Sequence, residues 1–286
     1  MSVNNGWHLS GSQWCAALIA LCAGFPAYAA QAADENASPP LTISLGAGAA
    51  RIADYEGGRE QHSSVFPIVN VTYKTDYGVL VIGGDASAPN NSTPLLSWAV
   101  ADPEHFLAGL SIDYDGGRRD DRRGTALRSG SPRLRGLGNL SGTLQYGVFA
   151  AYTVGFATTN LAARKAPSGR GHGGTIVDLS VDLALPINKQ LTFTASPSLT
   201  WVSKQTMRSY FGVTPAQSGA SGFRVYTPDD GVKSYGLTLS ANFQATKHWL
   251  VVANLAASRL TGQAAASPIV ERRNTFSPSL GLAYSW

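Results

Sequence analysis

The side chains that could do chemistry in this sequence are a few carboxylates set among small polar residues. Asp178 and Asp182 lie four residues apart, and Asp113 follows Ser111 in a similar setting. On an extended strand, residues four apart share a face and lie about 13 Å apart. Two carboxylates on one wall could guide cations. They could equally be held by arginines, because an unpaired buried carboxylate is costly.

Histidines, the usual general bases and metal ligands, are scattered along the chain. Of the five histidines, His172, which precedes Asp178, is the one that hints at a catalytic pair. The motifs H-E-x-x-H and G-x-S-x-G do not occur, and no histidines show metal-ligand spacing. The sequence therefore predicts that the protein is not an enzyme, has no metal site and needs no cofactor.

The first 29 residues resemble a secretory signal peptide. Residues 15–23 form an apolar run and Ala27-Tyr28-Ala29 is an A-x-A cleavage site, although residues 1–13 contain no Lys or Arg. Both cysteines, Cys15 and Cys22, fall inside this segment, so we expect no disulfide in the mature chain. Residues 30–40 are predicted to form a short periplasmic segment before a folded domain of residues 41–286.

Alternation with period two runs through residues 41–286 and indicates β-strands, because successive strand side chains point to opposite faces. In the last twelve residues, Phe276, Leu280, Leu282, Tyr284 and Trp286 share one side, and the other side is small and polar. The same pattern recurs, more weakly in some places, in twelve segments. They lie near residues 41–49, 65–73, 77–83, 94–101, 106–114, 143–152, 156–165, 177–185, 191–201, 235–244, 249–258 and 275–286.

The links between these segments alternate in length. Short links lie near 74–76, 101–105, 153–155, 186–189 and 245–247, and long links near 51–64, 85–93, 115–138, 166–173, 203–232 and 261–274. Short turns on one rim and long loops on the other, with an even strand count, are typical of outer-membrane barrels. Large apolar residues outside and small polar residues inside suit lipid around a wet lumen and invert the pattern of a soluble sandwich.

The fold class predicted is therefore all-β, a transmembrane antiparallel up-and-down β-barrel of about 12 strands in a cell outer membrane. We expect the last strand to close the barrel against the first. The charged fraction of 14% agrees, because soluble domains usually contain about 25%. No segment after residue 30 reaches the roughly 18 apolar residues of a membrane helix.

The inner face of this barrel is expected to carry the candidate functional residues of a pore. Asp178 and Asp182 are expected there, held by arginines of the long loop between Arg118 and Arg135. The candidate polar residues facing the lumen are Asp113, Gln145, Asp178, Asp182 and Asn242.

The same long loop carries a basic cluster that includes Arg118, Arg119, Arg122 and Arg123. Guanidiniums bind phosphates in a bidentate manner, so we expect this cluster to contact outer-membrane lipid and lipopolysaccharide. The alternative is a solvated run of charges paired internally with Asp120 and Asp121. Nucleic acid is not an expected partner despite the pI of about 9.1, because no basic–aromatic motif accompanies the charge.

Several blocks of the sequence are similar to the MltA-interacting protein (MipA/OmpV) family. The clearest are the run Tyr210-Phe211-Gly212-Val213-Thr214 and, further on, Ser221-Gly222-Phe223-Arg224-Val225-Tyr226. Weaker blocks keep the family's order, among them Gly116-Gly117-Arg118-Arg119-Asp120, Arg259-Leu260-Thr261-Gly262 and Ser267-Pro268-Ile269-Val270.

The resemblance implies an outer-membrane barrel that acts as a scaffold for peptidoglycan-remodelling enzymes, with a peptidoglycan synthase and a lytic transglycosylase as partners. It implies no catalytic residue. Two alternatives stay open: a passive channel for small polar solutes, suggested by the inner face, and a surface antigen or adhesin, suggested by the family.

Overall fold

The computed structural model describes residues 40–83, 92–101, 105–125 and 128–286. The predicted signal peptide of residues 1–29, the two cysteines, nearly all of the segment 30–40 and most of the link 85–93 lie outside the described residues. Those interpretations stay predictions.

Twelve strands form a closed antiparallel barrel in which each strand pairs with its neighbours in the sequence. All twelve predicted segments are strands, which confirms the predicted fold class. The strands are β1 (Leu41–Ala53), β2 (Gln61–Thr75), β3 (Gly78–Ile82), β4 (Ser92–Ala101), β5 (Phe106–Asp115), β6 (Thr143–Val154), β7 (Ala157–Lys165), β8 (Thr175–Pro186), β9 (Leu191–Val202), β10 (Gly231–Gln244), β11 (Trp249–Leu260) and β12 (Asn274–Ser285).

The barrel closes where β12 pairs with β1, as the sequence predicts. The register runs from Ser44 opposite Ser285 to Ala50 opposite Ser279. The hydroxyl oxygens of Ser44 and Ser285 lie 2.7 Å apart. Closure leaves the described barrel without an unpaired first or last strand, which a bilayer requires because lipid cannot satisfy free backbone groups.

The outward face of the barrel is a band of exposed apolar side chains. Leu110 is 63% exposed, Leu239 46% and Leu280 58%. At the rim formed by the short turns, the ring of Tyr284 lies edge-on to the rings of Trp249 and Trp286, with distances between ring centroids of 5.0 and 4.7 Å. An apolar band with aromatic residues at its border is the surface that a transmembrane barrel presents to lipid. None of the helices among the described residues is long and apolar enough to cross a membrane.

The inward face is more hydrophobic than the sequence predicts. Phe66 and Ile68 of β2 point inward and pack with Ala50 and Ala283. A side chain at Gly48 would collide with the Phe66 ring, so that glycine makes room for it. The prediction of small polar residues inside is wrong at this point because β2 is apolar on both faces.

The long loops carry short helices in place of open coil. They are α1 (Lys204–Phe211), α2 (Pro215–Ser221) and α3 (Gly262–Ala265), with a 3-10 turn at Pro132–Leu134. Helix α2 is capped at its start by Thr214, whose side chain forms a capping box with Gln217, and at its end by Gly222, which adopts a φ of 77° that favours glycine. These helices have defined ends, and they fold over one rim of the barrel.

Candidate functional site

The candidate site is the mouth of the barrel, which we define as the long-loop rim with the loops 116–142, 166–174, 203–230 and 261–273 that cover it. Helix α1 fills the mouth. Its Met207 is fully buried and its Phe211 is 1% exposed, and both pack against Ile176 and Val202 of the barrel wall. The interior of the barrel therefore continues directly into the packed core of the loops.

A second hydrophobic cluster joins the loops to one another. Leu134, Leu137, Val213 and Ile269 come from three different loops and pack around Tyr55. The Tyr55 hydroxyl donates to the backbone oxygen of Ile269 at 3.0 Å. Burial, together with the nearby Glu271 carboxylate, raises the pKa of Tyr55. The loops thus form one packed cap, and their contacts span residues 55 to 269.

Polar contacts fasten this cap to the top of β5. Tyr210 of α1 donates its hydroxyl hydrogen to Asp115 Oδ1 at 2.6 Å. Arg118, 4% exposed, donates to the backbone oxygen of Tyr210 at 2.9 Å. Burial and the Asp115 carboxylate raise the pKa of Tyr210, and burial lowers the pKa of the Arg118 guanidinium. Tyr210 therefore stays protonated and remains a donor to Asp115.

His172, in the loop 166–174 of the mouth, is 2% exposed. Its Nδ1 accepts from the backbone N–H of Gly174 at 3.1 Å, and its Nε2 lies 2.5 Å from the side-chain amide of Gln145. A neutral imidazole has one N–H, so Nε2 carries the hydrogen. The Gln145 atom beside it is the amide nitrogen, a donor, whereas Gln145 Oε1 is buried without a partner, so turning the amide over gives Nε2–H its acceptor. Burial lowers the pKa of His172, and the Asp115 carboxylate, 3.5 Å from Nε2, acts in the opposite direction.

Thr206, His172 and Asp115 stand in the order of a nucleophile, a base and an acid. The Thr206 hydroxyl oxygen lies 2.9 Å from His172 Nδ1. All three side chains are at most 5% exposed, and the backbone oxygen of Thr175, 3.3 Å from the same hydroxyl oxygen, competes with Nδ1 for its one hydrogen. The arrangement fixes the loop 166–174 to α1 and presents no nucleophile to solvent.

On the inner wall below the mouth, Asp178 is held by two partners. Its Oδ2 binds the guanidinium of Arg164, and its Oδ1 accepts from the Thr200 hydroxyl at 2.6 Å. Arg164 is diagonal to Asp178, since Ala162 is the direct partner of Asp178 in the ladder. Gly147, opposite Arg164 on β6, leaves space for the arginine side chain.

The expected source of this arginine was wrong. Asp178 is bound by an arginine of the neighbouring strand, and Asp182 by the amide of Asn160 at 2.8 Å. No arginine of the described part of the loop Arg118–Arg135 pairs with either carboxylate. Alternation along 157–165 places Arg164 on the inner face, so the sequence shows which way its side chain points but not that Asp178 is its partner.

The other predicted lumen residues also lie on the inner face but form no common site. Asp113, 2% exposed, accepts from Ser111 at 2.6 Å. Gln145 belongs to the His172 network. Asn242 is 7% exposed, and its amide oxygen and nitrogen have no hydrogen-bond partner. Among the described residues, no group of three or more His, Cys, Asp and Glu side chains could hold a metal ion.

The predicted basic cluster is largely compensated by carboxylates. Arg119 and Arg122 share Asp121, with Nε–oxygen distances of 3.2 and 3.3 Å. Their hydrogen bonds, that from Arg119 foremost, lower the pKa of Asp121. Arg123 lies 3.2 Å from the buried carboxylate of Asp54. Arg118 is buried, as described above. Arg118 and Arg123 therefore join this loop to its neighbours, whereas Arg119 and Arg122 pair within their own segment.

Known proteins similar to this chain include two curated relatives. A family model described as "MltA-interacting protein MipA" matches residues 45–286. The MltA-interacting proteins of Escherichia coli (strain K12) and Shigella flexneri are each 28% identical over 246 residues, 85% of this chain and 90% of theirs. Among solved structures, a Pseudomonas aeruginosa FadL homologue aligns with a TM-score of 0.44 and 10% identity, over 86% of this chain and 89% of its own.

Proposed function

The chain belongs to the MltA-interacting protein MipA family, and from this premise we propose that it is an outer-membrane scaffold for peptidoglycan-remodelling enzymes. Its first partner would be the lytic transglycosylase that corresponds to the MltA in the name of its relatives. A peptidoglycan synthase would be the second. The observation that carries the proposal is the extent of the match, which runs from residue 45 in β1 to residue 286 and includes all the long loops.

The covered mouth and the buried side chains below it support a scaffold over a channel. Ser198 and Ser258 on the inner face are exposed, but buried inner side chains occur at each height of this barrel. Leu250 near the short-turn rim is 6% exposed, Ile68 at mid-height 4%, and Val202 below the loops 1%. A passive channel would need the cap and these inner side chains to move. A surface antigen or adhesin has no specific structural feature in its favour.

The short turns offer a surface for an enzyme that works on the periplasmic side. Three of these turns carry an exposed hydrophobic residue: Tyr77 is 82% exposed, Phe156 62% and Ile187 60%. We name these three residues the short-turn tips. Aromatic and aliphatic side chains that become buried on association supply much of the binding energy of protein interfaces. The tips are therefore the residues through which we expect the transglycosylase to dock.

The test measures binding of the purified host transglycosylase to the purified barrel in detergent micelles. We expect the wild-type protein to bind. The triple variant Tyr77→Ser, Phe156→Ser and Ile187→Ser should bind at least about tenfold more weakly, since each lost anchor costs on the order of 1 kcal/mol. Val225→Ser is the matched control, because Val225 is 49% exposed but lies in a long loop on the opposite rim.

A planar-bilayer recording separates the scaffold from the channel. Absent conductance together with transglycosylase binding agrees with the scaffold. Sustained conductance by wild-type protein that binds no transglycosylase would overturn the scaffold in favour of a channel. If the triple variant binds as tightly as wild type, the scaffold survives but the docking surface is not the short-turn tips.

A further inference from the structure

The charges on the barrel strands are sorted by face. The four strand carboxylates, Asp113, Asp115, Asp178 and Asp182, lie on the inner face. Among the described strands, the charged side chains on the outer face are all basic, namely Arg51, Lys165 and Arg259. Each lies within three residues of the long-loop end of its strand. The outer face at this rim therefore presents positive charge just above the apolar band.

Two of these cations flank one strand. Arg51 lies on β1 and Arg259 on β11, and both strands pair with β12. The two backbones are thus about 10 Å apart across the sheet. Arg259 is opposite Asn274, whereas Ala50 is opposite Ser279, so the two arginines are also offset by about 13 Å along the strand. Arg272 and Arg273 directly precede β12 and are exposed. We call Arg51, Arg259, Arg272 and Arg273 the rim patch.

Neutral side chains position the first two guanidiniums. Arg51 Nε donates to the Gln61 amide oxygen at 3.2 Å, and Arg259 Nη1 donates to the Asn274 amide oxygen at 3.3 Å. Gln61 in turn donates to the backbone oxygen of Phe276 at 2.9 Å. These contacts orient the arginines and leave their charges uncompensated and most of their N–H groups free.

The carboxylate nearest to the rim patch in the sequence is bound by other residues. It belongs to Glu271, whose Oε1 binds Arg133 at 2.5 Å. Its Oε2 accepts from the backbone N–H of Arg59 at 3.1 Å and lies 3.3 Å from the Tyr55 hydroxyl oxygen. In the described residues, no salt bridge involves any of the four rim-patch arginines. The loop cluster of Arg119, Arg122 and Arg123 is the opposite case, because each of those arginines has a carboxylate partner.

The surface beside the rim patch is one that lipid covers. Tyr235, opposite Arg259 in the ladder, is 51% exposed, and Phe276 is 50% exposed. An anion bound here would lie above apolar chains, at the depth of a lipid head group. Guanidiniums form bidentate, charge-assisted hydrogen bonds with phosphate oxygens, which lysine cannot do.

We propose that the rim patch is a binding site for a phosphorylated glycolipid of the outer leaflet, with its phosphates on the arginines and its acyl chains against the outer face of β10 to β12. The site is distinct from the loop cluster to which the sequence pattern points. It does not depend on the scaffold role, since it lies on the opposite rim from the short-turn tips.

The test is binding of diphosphoryl lipid A to the purified full-length protein in detergent, measured by native mass spectrometry, with fully dephosphorylated lipid A as the comparison. Wild-type protein should retain the phosphorylated form at least about tenfold more tightly. The variant Arg51→Gln with Arg259→Gln should lose most of that preference, and so should Arg272→Gln with Arg273→Gln. The second pair lies in a loop and cannot disturb a strand ladder.

Two controls define the outcome. Arg119→Gln with Arg122→Gln removes the same charge from the same rim, and we expect it to bind lipid A within about twofold of wild type. Arg51→Lys with Arg259→Lys keeps the charge but not the bidentate geometry, and it should bind at an intermediate level. Heat-modifiable gel mobility confirms that each variant is folded.

Three results would overturn the proposal. In the first, the loop-cluster variant loses as much binding as the rim-patch variants, so that only overall charge matters. In the second, dephosphorylated lipid A binds as well as the phosphorylated form. In the third, inorganic phosphate at millimolar concentration displaces the lipid completely, which would make the patch a site for soluble anions.

Discussion

Arg164 and Asp178 form an ion pair that crosses the pairing of β7 and β8 on the inner face of the barrel. The side chains are 10% and 23% exposed, so water screens the pair little. Thr200 completes the coordination of the carboxylate from β9. Three adjacent strands are therefore tied together by one carboxylate.

We expect Arg164→Gln to lower the free energy of unfolding by about 2–3 kcal/mol, less than the 3–5 kcal/mol of a fully buried pair. Adding Asp178→Asn to the same chain should restore part of the loss, because no unpaired charge is left behind. Urea unfolding in lipid vesicles measures both. Asp182→Asn is the control and should cost less than about 1 kcal/mol, since Asp182 is bound by the neutral Asn160. Additive losses in the double variant would contradict the pairing.

Because the outward side chains of the barrel face lipid, the free-energy cost of an arginine substitution there should depend on how deep in the membrane it lies. Leu239 lies near the middle of β10 and Leu185 next to the short-turn end of β8, and both are exposed on the outer face. Leu239→Arg should cost about 2–4 kcal/mol and Leu185→Arg about 0–1 kcal/mol. The fraction of heat-modifiable, assembled protein reports the difference. Equal assembly of the two variants would mean that one of these residues does not face lipid.

Acid should loosen the cap through His172. Burial lowers the pKa of this histidine below its ordinary value of 6.5, so the folded mouth favours the neutral ring. As the pH falls below about 6.5, the histidine binds a proton more readily in the open loops than in the folded mouth. The free energy needed to open the cap therefore decreases. Arg164 and Lys233 act in the same direction as burial, and Asp115 opposes it.

We therefore expect protease to cut the loops faster at pH 5 than at pH 7.5 in wild-type protein. His172→Asn should weaken the cap at both pH values and remove most of the difference between them. His248→Asn, at the opposite rim, should leave the difference intact. A pH dependence that persists unchanged in His172→Asn would assign the effect to other groups.

The cap should open when its largest anchor is removed. Phe211→Ala takes a side chain that is 1% exposed out of the junction between barrel and loops. We expect a loss of about 3–5 kcal/mol from the cavity and lost burial. Proteolysis within residues 203–230 should then occur while the barrel keeps its heat-modifiable mobility. Val225→Ala, at a residue that is 49% exposed, should have no such effect, and an equally resistant Phe211→Ala loop would show that α1 does not anchor the cap.

The sequence predicts the strands well because successive side chains of each strand face lipid and the barrel interior in turn. This alternation imposes a period of two on the strands within residues 41–286. It places the start of β10 too late, at 235 in place of Gly231. The cause is a bulge: the register against β9 shifts between Thr200 and Trp201, so Lys233 and Ser234 are both buried and the alternation is broken there.

The cap could not be predicted in the same way. Leu134, Val213 and Ile269 belong to separate loops with no periodicity, and only their meeting in space makes them a core. Arg164 is a different case. Its face follows from the alternation, but its partner follows only from the order in which β7 and β8 pair. The charges of the loop arginines likewise become compensated through carboxylates distant in the sequence, such as Glu60 and Glu271.

The hydrogen-bonded seam between β1 and β12 has a consequence for how the protein is made. The serine pair that spans it joins residues 241 positions apart. Until β12 docks, β1 and β11 each present a bare edge that can recruit strands from other chains. A chain in which only eleven strands have paired is therefore prone to aggregate. We expect closure of the barrel to come late, because its contacts join the residues most distant in the sequence. We expect such a chain to need protection of these two edges until its first and last strands meet.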